Sequence, residues 1–322
     1  MRCLRLSLPT VLLLVLAIAG AQDVDGQELP KKTYTYKTTG DLRILADVYR
    51  TPDDVIRPVI LSIHGGALIM GNRSWMGNDV LVQKYLDAGY AIVAIDYRLA
   101  PQVKLNQILE DLDDAYRWVR TDGPKLFRID PNRISVVGHS AGGYLALMAG
   151  FRLTPRPRAV VSFYGYGDIA GAWYSRPDPF YNRQPAVTKE EAYRTVGTRV
   201  VAEDPEATRE RFYLYTRQQG LWPREVAGHD PDKEPRAFDP LCPVRNVSKS
   251  YPPTLLLHGD KDTDVPYEQS VLMARALERQ GVQHELITLA GKGHGFDRDA
   301  SDPAIAAAFD RVLAFLRKQF GQ

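Results

Sequence analysis

The chain has 322 residues, of which 44% are hydrophobic and 25% are charged, and its formal net charge at pH 7 is +2. This is the composition of an ordinary globular protein, and a chain of this length buries a substantial core. The near-neutral charge gives no reason to expect a nucleic acid as a partner.

The first 21 residues have the three parts of a secretory signal peptide. Arg2 and Arg5 form a short basic start, an apolar stretch covers residues 8–19, and small residues precede Gln22. The alternative is a membrane anchor, but crossing a bilayer takes about 20 apolar residues and this stretch is shorter. We therefore expect a mature chain of residues 22–322 that is secreted or periplasmic and has no stable membrane anchor.

Short apolar stretches alternate with amphipathic ones along most of the remaining chain. Residues 22–32 are polar and are predicted to lack regular structure. The predicted strands are rich in β-branched or large apolar residues without polar alternation, and they cover 59–63, 91–95, 134–137, 159–163, 254–257 and 284–289. Asp302 before Pro303 predicts a helix N-terminus, and that helix runs to about Phe320. The alternation predicts an α/β fold, a mostly parallel sheet with helices on both faces.

Residues 164–251 interrupt this alternation and are treated as an insertion. They contain no clear strand and are rich in tyrosine, tryptophan and proline. Long insertions of this kind often form a lid or a binding loop. We expect a cap over the functional site. The alternative, an ordinary helical decoration whose aromatic rings pack on the sheet, stays open for each single ring.

The sharpest motif is Gly138-His139-Ser140-Ala141-Gly142, directly after a predicted strand and before a helical pattern. A serine hydroxyl is a poor nucleophile unless it is held in place beside a base. A tight turn between strand and helix exposes that hydroxyl and has room only for small neighbours. We predict that Ser140 is a nucleophile. The alternative is a glycine-rich turn in which the serine caps a helix.

A second motif, His64-Gly65-Gly66-Ala67, follows the predicted strand at 59–63. Its glycines let the backbone bend close to a substrate, so that amide hydrogens can face a developing oxyanion. The candidate oxyanion hole comprises Gly65, Gly66, Ala67 and Ala141, with the amides of Ala141 and of Gly66 or Ala67 as donors. His64 is expected to orient the loop rather than to act as a base.

An acid and a base follow the last two predicted strands. Among the three aspartates of the segment 258–266 we choose Asp262 as the residue that orients the histidine, and we expect Asp260 and Asp264 to form turns or cap a helix. His294 lies among glycines on a late loop and is the predicted base. The order serine, aspartate, histidine is that of the α/β-hydrolase arrangement.

Together these segments resemble the α/β-hydrolase superfamily. Within it they resemble the esterase/lipase group of acetyl esterases, hormone-sensitive-lipase-like enzymes and bacterial feruloyl or acetylxylan esterases. The supporting segments are His64-Gly65-Gly66, Asp96-Tyr97-Arg98-Leu99-Ala100-Pro101, Gly138–Gly143, His258–Pro266 and Gly293-His294-Gly295-Phe296. The resemblance covers about 36–320 except the insertion. Ala67 departs from the third glycine or aromatic that often follows His-Gly-Gly in the group, which leaves the subfamily open.

The resemblance implies that residues 22–322 are a serine carboxylesterase domain. It would hydrolyse a small-molecule or polysaccharide-linked ester through an acyl-enzyme, without a metal or another cofactor. Two alternatives are a serine peptidase or amidase of the prolyl-oligopeptidase-like group and a non-catalytic binding protein on a hydrolase scaffold. The sequence does not indicate the acyl-chain length, the leaving group or the oligomeric state.

Overall fold

The computed structural model describes residues 29–76 and 79–322, so the predicted signal peptide at residues 1–21 lies outside the described residues. Eight strands form one sheet. In chain order they are β1 (Lys31–Thr39), β2 (Leu42–Tyr49), β3 (Arg57–Ile63), β4 (Ala91–Ile95), β5 (Ile129–His139), β6 (Val160–Phe163), β7 (Thr254–Gly259) and β8 (His284–Leu289).

The strand order in the sheet is β1-β2-β4-β3-β5-β6-β7-β8. β1 pairs with β2 and β2 with β4 in antiparallel fashion, whereas every other neighbouring pair is parallel. The six strands predicted from the sequence correspond to β3 to β8, and the mostly parallel α/β sheet is confirmed. Because β3, β5, β7 and β8 run in one direction, the loops that follow them meet at one edge of the sheet.

The hairpin of β1 and β2 was not predicted. The prediction that residues 22–32 lack regular structure is wrong for Lys31 and Lys32, which pair with Tyr49 and Val48. β1 is an edge strand whose residues are exposed or half-buried, and its sequence of lysines, threonines and tyrosines therefore lacks the continuous apolar stretch that marks the central strands. A strand that pairs on one side only, as β1 does with β2, need not be apolar throughout, so the sequence pattern does not reveal it.

Helices cover both faces of the sheet. They are α1 (Asp79–Asp87), α2 (Leu105–Thr121), α3 (Gly123–Phe127), α4 (Ala141–Arg152), α5 (Ala172–Ser175), α6 (Lys189–Val196), α7 (Glu210–Gln219), α8 (Glu268–Arg279) and α9 (Pro303–Phe320). Side chains of α2, α4 and α8 belong to one buried cluster with the sheet, and those of α1 and α9 belong to a second cluster on the other face. Two clusters on opposite faces explain why the central strands are apolar throughout.

Helix α9 begins as the sequence predicts. The Asp302 side chain accepts hydrogen bonds from the amides of Ala304 and Ile305, and Pro303 occupies the first helical position. The carboxylate satisfies amides that have no partner inside the helix. The helix ends at Phe320, before Gly321 with a positive φ of 73°.

The insertion connects β6 to β7, which are neighbours in the sheet. It contains α5, α6 and α7, short 3₁₀ helices and one π-helical turn at Pro223–Ala227, and no strand in its described residues 164–251. It therefore leaves the sheet at the edge where the candidate loops meet. None of the helices within residues 29–76 and 79–322 has both the length and the hydrophobicity that spanning a membrane requires.

Candidate active site

Ser140 lies at the turn between β5 and α4 with φ 54° and ψ −117°. A positive φ is unusual for a residue with a side chain, so the surroundings must hold it there. The Ser140 amide donates to the Phe163 carbonyl oxygen on the neighbouring strand at 2.9 Å. The turn thus lifts the hydroxyl out of the sheet and fixes its backbone.

The glycines around Ser140 are required by close backbone approach. A Cβ at Gly142 would lie 2.0 Å from the carbonyl oxygen of Ile63, and one at Gly138 would lie 2.0 Å from that of Gly142. Contacts this short are forbidden, so the strand β3 and the helix α4 can only meet here without side chains. The motif Gly-x-Ser-x-Gly has this steric origin.

The loops after β7 and β8 bring Asp262 and His294 to Ser140. The Ser140 hydroxyl lies 2.9 Å from Nε2 of His294, and Nδ1 of His294 lies 2.7 Å from Oδ2 of Asp262. Asp262 therefore holds the tautomer in which Nδ1 carries the proton and Nε2 can accept one from serine. The three residues chosen from the sequence form one hydrogen-bonded chain, and their catalytic roles stay a prediction.

The contacts of Asp262 keep its carboxylate ionised. Burial alone would raise its pKa, but hydrogen bonds from His258 and His294 outweigh burial and lower the pKa. Its second oxygen accepts from the amides of Asp264 and Val265 at 2.8 and 2.9 Å. The sequence did not assign His258 a role, and the structure places its Nε2 3.3 Å from Asp262 Oδ2.

His294 is half-buried, and two carboxylates act on it. Burial opposes its charged form, but the charge of Asp264, the hydrogen bond to Asp262 and the charge of Asp262 outweigh burial and raise the pKa of His294. Asp264 Oδ2 lies 3.4 Å from His294 Nε2. From the sequence we expected Asp264 to form a turn or cap a helix, and its contact with the histidine was not predicted.

The loop after β3 passes directly beside the serine. A Cβ at Gly65 would lie 3.2 Å from Cβ of Ser140. The Gly66 carbonyl oxygen accepts from the amides of Ile69 and Met70 at 2.9 and 3.0 Å. Because a trans peptide directs its C=O and N–H to opposite sides, the Ala67 amide points away from that turn. Ala141, the fourth predicted oxyanion residue, is the first residue of α4, where the helix dipole favours negative charge.

His64 supports this loop, as the sequence suggests. Its ring is buried and stacks on Tyr97 with the ring centroids 4.2 Å apart. Burial lowers the pKa of His64 to about 4, so the ring is neutral at neutral pH. The Tyr97 hydroxyl donates to the carbonyl oxygens of His64 and Gly65 at 3.0 and 3.3 Å. The Asp-Tyr-Arg segment thus holds the loop through Tyr97.

Among the described residues, no group of three or more His, Cys, Asp or Glu side chains is arranged to hold a metal ion. The site consists of a hydroxyl, an imidazole, carboxylates and backbone amides. Such a set suits nucleophilic acyl transfer, in which the groups move one proton and stabilise one oxyanion. The expectation of no cofactor stays a prediction.

A protein-family model described as BD-FAE matches residues 46–277, which is more than half of the chain. The chain belongs to the BD-FAE family. This places it in the α/β-hydrolase superfamily, among carboxylesterase-like hydrolases, in agreement with the resemblance seen in the sequence. A dienelactone hydrolase family model also matches residues 238–321.

The chain is also similar to individual proteins of known sequence or structure. Esterase LipC of Mycobacterium tuberculosis is 31% identical over 271 residues, which are 79% of this chain and 57% of LipC. The non-reducing polyketide synthase Preu3 of Preussia isomera is 30% identical over 358 residues, and the match spans 92% of this chain but 14% of that protein. The fold matches the crystal structure of an acetyl ester-xyloside bifunctional hydrolase from Caldicellulosiruptor lactoaceticus, with a TM-score of 0.65, 22% identity, and coverage of 89% and 96% of the two chains.

In this BD-FAE member the insertion is bound by long-range contacts to the loop after β3, which carries the predicted oxyanion residues Gly65, Gly66 and Ala67 and is called the oxyanion loop below. The Trp222 indole donates to the Ala67 carbonyl oxygen at 3.0 Å, and Arg209 donates to that of Ile69 at 3.3 Å. Gly71 and Asp204 form an isolated antiparallel bridge. The expected cap over the site stays a prediction, and the structure adds that this segment holds one of the loops that form the site.

The aromatic residues of the insertion pack chiefly on each other and on one buried arginine. Tyr166, Tyr174 and Trp222 are fully buried, and Tyr174 stacks on Trp222 with centroids 4.2 Å apart. The Arg217 guanidinium lies within 5.7 Å of four ring centroids, those of Trp173, Tyr174, Tyr181 and Tyr213. Tyr166, Tyr174 and Trp222 also belong to the buried cluster that includes residues of the sheet. The alternative in which single rings pack on the sheet stays a prediction for the other rings.

Proposed function

We propose that this protein is a secreted serine carboxylesterase that hydrolyses short-chain or carbohydrate-linked esters through an acyl-enzyme on Ser140. The observation that carries the proposal is the hydrogen-bonded chain from Ser140 through His294 to Asp262. Each distance is short enough for proton transfer or for orientation of the ring. The family assignment supports the same chemistry.

In the proposed mechanism, Ser140 attacks the ester carbonyl carbon while His294 Nε2 takes the hydroxyl proton. Asp262 keeps the Nδ1 proton in place and stabilises the imidazolium that forms. The amides of Ala141 and of Gly66 or Ala67 bind the tetrahedral oxyanion. The imidazolium then gives its proton to the leaving alcohol, and a water activated by His294 releases the acid from Ser140.

The carbohydrate part of the proposal has separate support. The similar fold of an acetyl ester-xyloside bifunctional hydrolase suggests acylated sugars as a substrate class to test. Secretion is supported by the signal-peptide pattern of residues 1–21. Mass spectrometry of the protein exported from a host cell would test it, since a mature N-terminus at Gln22 is expected.

The test of the function is a set of initial rates on p-nitrophenyl acetate, butyrate and octanoate and on a feruloyl ester. The wild-type protein and Ser140→Ala are measured side by side, and the wild type is also treated with a fluorophosphonate. We expect hydrolysis that falls by about four to six orders of magnitude in Ser140→Ala.

Two outcomes would contradict the proposal. A variant Ser140→Ala that keeps the wild-type rate would show that another group is the nucleophile. A wild type that is labelled at Ser140 but cleaves no ester would keep the serine and exclude the substrate class, and peptides and amides would then be the next substrates to test.

A further inference from the structure

The imidazole of His294 has a carboxylate at each nitrogen. Asp262 Oδ2 lies 2.7 Å from Nδ1, and Asp264 Oδ2 lies 3.4 Å from Nε2. Nε2 is also the atom that lies 2.9 Å from the Ser140 hydroxyl. Asp264 is therefore placed beside the nitrogen that would exchange protons with serine, the leaving alcohol and water. The mechanism proposed above uses Asp262 to orient and stabilise the ring and gives this second carboxylate no role.

Residues of the insertion hold Asp264 in this position. Its Oδ1 accepts hydrogen bonds from the hydroxyls of Tyr181 and Tyr213 and from the Arg217 guanidinium at 2.8 Å. With Oδ1 committed to these three donors, the other oxygen, Oδ2, is directed at His294. The other branch of the guanidinium pairs with Asp178 at 2.5 Å, so Arg217 has two carboxylates to balance.

These contacts also keep Asp264 ionised. Burial would raise its pKa, but His294, Arg217 and the two tyrosine hydroxyls outweigh burial and lower the pKa. The buried arginine would cost much free energy if it lost its partners. Arg217, Tyr181 and Tyr213, which we call the clamp, and the Asp264 carboxylate therefore stabilise each other. The negative charge beside Nε2 is thus a fixed part of the folded site.

A fixed negative charge at 3.4 Å acts differently on the two forms of the ring. It repels the lone pair of neutral Nε2 and attracts the imidazolium. The other groups around the ring are Asp262, which also favours the imidazolium, Arg298, whose charge opposes it, and Tyr164, which lies edge-on to the ring at 4.6 Å. Of the two carboxylates in this set, Asp264 is the one that accepts hydrogen bonds from side chains of the insertion.

We propose that Asp264, clamped by Arg217, Tyr181 and Tyr213 of the insertion, is a positioning residue that stabilises the protonated form of His294 during acyl transfer. The role rests on the proposed use of His294 as the base. It makes the ring a stronger base when Ser140 loses its proton, and the insertion thereby takes part in the chemistry as well as in the shape of the site.

The test compares the wild type with Asp264→Asn, which keeps the size of the side chain and removes its charge. Asp260→Asn is the matched control, because Asp260 is an exposed carboxylate of the same loop that bonds the Gly291 amide and is not in contact with His294. Two quantities are followed against pH. One is the ¹⁵N NMR signal of the His294 ring, assigned with His294→Gln, and the other is the rate at which a fluorophosphonate labels Ser140.

We expect Asp264→Asn to move the His294 midpoint to lower pH by about one pH unit, and the acid limb of the labelling rate to move with it. On the alkaline plateau the variant should label more slowly than the wild type, since the base is weaker. Asp260→Asn should leave both midpoints in place. Unchanged midpoints in Asp264→Asn would overturn the proposal. A purely structural role of Asp264 would lower the labelling rate at every pH and leave the midpoints where they are in the wild type.

Leaving the buried Arg217 without Asp264 can prevent folding, so the double variant Asp264→Asn/Arg217→Gln is included. It removes both charges of this pair and leaves Asp178 beside a neutral amide. It should show the same downward movement of the His294 midpoint. If Ser140 is not labelled even in the wild type, the proposed function fails, whereas the NMR midpoint of His294 still decides the role of Asp264.

Discussion

The candidate site has two halves of different origin. The sheet half consists of the loops after β3, β5, β7 and β8, which carry Ser140, Asp262, His294 and the oxyanion glycines. The insertion half consists of residues 164–251, which contribute supports for those loops. In the sheet half the backbone itself sets the geometry, through glycines that allow contacts closer than any side chain permits. In the insertion half side chains set it, through single hydrogen bonds that cross more than 40 positions of sequence.

This difference predicts how each half tolerates change. Backbone contacts in the sheet half leave no room for adjustment, so adding a single methyl group there should strongly destabilise the fold. The bonds from the insertion are separate and local, so the loss of one should damage the loop it holds and spare the fold. The three pairs of substitutions below test this contrast, from the largest expected effect to the smallest.

Gly142→Ala should be the most damaging. Its Cβ would lie 2.0 Å from the Ile63 carbonyl oxygen, and backbone on both sides prevents relief. We expect a loss of at least about 3 kcal/mol in the free energy of unfolding. Gly293→Ala is the control, because its Cβ would find its nearest neighbour at 3.7 Å. Thermal denaturation should show the control within about 1 kcal/mol of the wild type, and equal stability of both variants would remove the steric account of the serine turn.

Trp222→Phe should separate activity from stability. It removes the bond to the Ala67 carbonyl oxygen and keeps most of the ring, so the unfolding free energy should fall by about 1–3 kcal/mol. Because the oxyanion loop loses a support, kcat/KM should fall about ten- to a hundredfold. Trp173→Phe makes the same chemical change, but its bond to the Asp168 carbonyl oxygen stays within the insertion.

The Trp173→Phe control should therefore keep its kcat/KM on the best p-nitrophenyl ester. An equal loss of kcat/KM in both variants would mean that the packing of the whole insertion, and not the single bond from Trp222, supports the oxyanion loop. Full activity in Trp222→Phe would show that the loop after β3 holds its shape without the hydrogen bond from Trp222.

Removing the N-cap of α9 or of α6 should give the smallest difference between the two halves. Asp302→Ala removes the N-cap of α9 and the ion pair with Lys292, which lies on the loop of His294. Thr188→Ala removes the N-cap of α6 inside the insertion. Each should lower the unfolding free energy by about 1 kcal/mol, or the melting temperature by about 2 °C. Only Asp302→Ala should also reduce kcat/KM, by severalfold, and an equal reduction in Thr188→Ala would contradict the division into halves.

The same contrast explains what the sequence could predict. β3 to β8, the turn at Ser140 and the start of α9 were predicted because each has a local signal, namely a buried apolar stretch, a pair of close-packed glycines or a cap. The contact of Asp264 with His294 was missed because it depends on Arg217, Tyr181 and Tyr213, whose spacing in the sequence has no period. The hairpin of β1 and β2 was missed for two reasons. The edge strand β1 is exposed or half-buried and carries no apolar stretch, and in the inner strand β2 Arg43 and Asp47 interrupt the apolar residues.

The clamp at Arg217 and the bond from Trp222 have a consequence for anyone who redesigns this protein. The insertion cannot be replaced by a loop from a related hydrolase without regard to the donors that it supplies to the site. A replacement without an indole near residue 222 and a guanidinium near residue 217 would leave the Ala67 carbonyl oxygen and the Asp264 carboxylate without the donors they now have. Successful chimeras should therefore be those that inherit these donors together with the new segment.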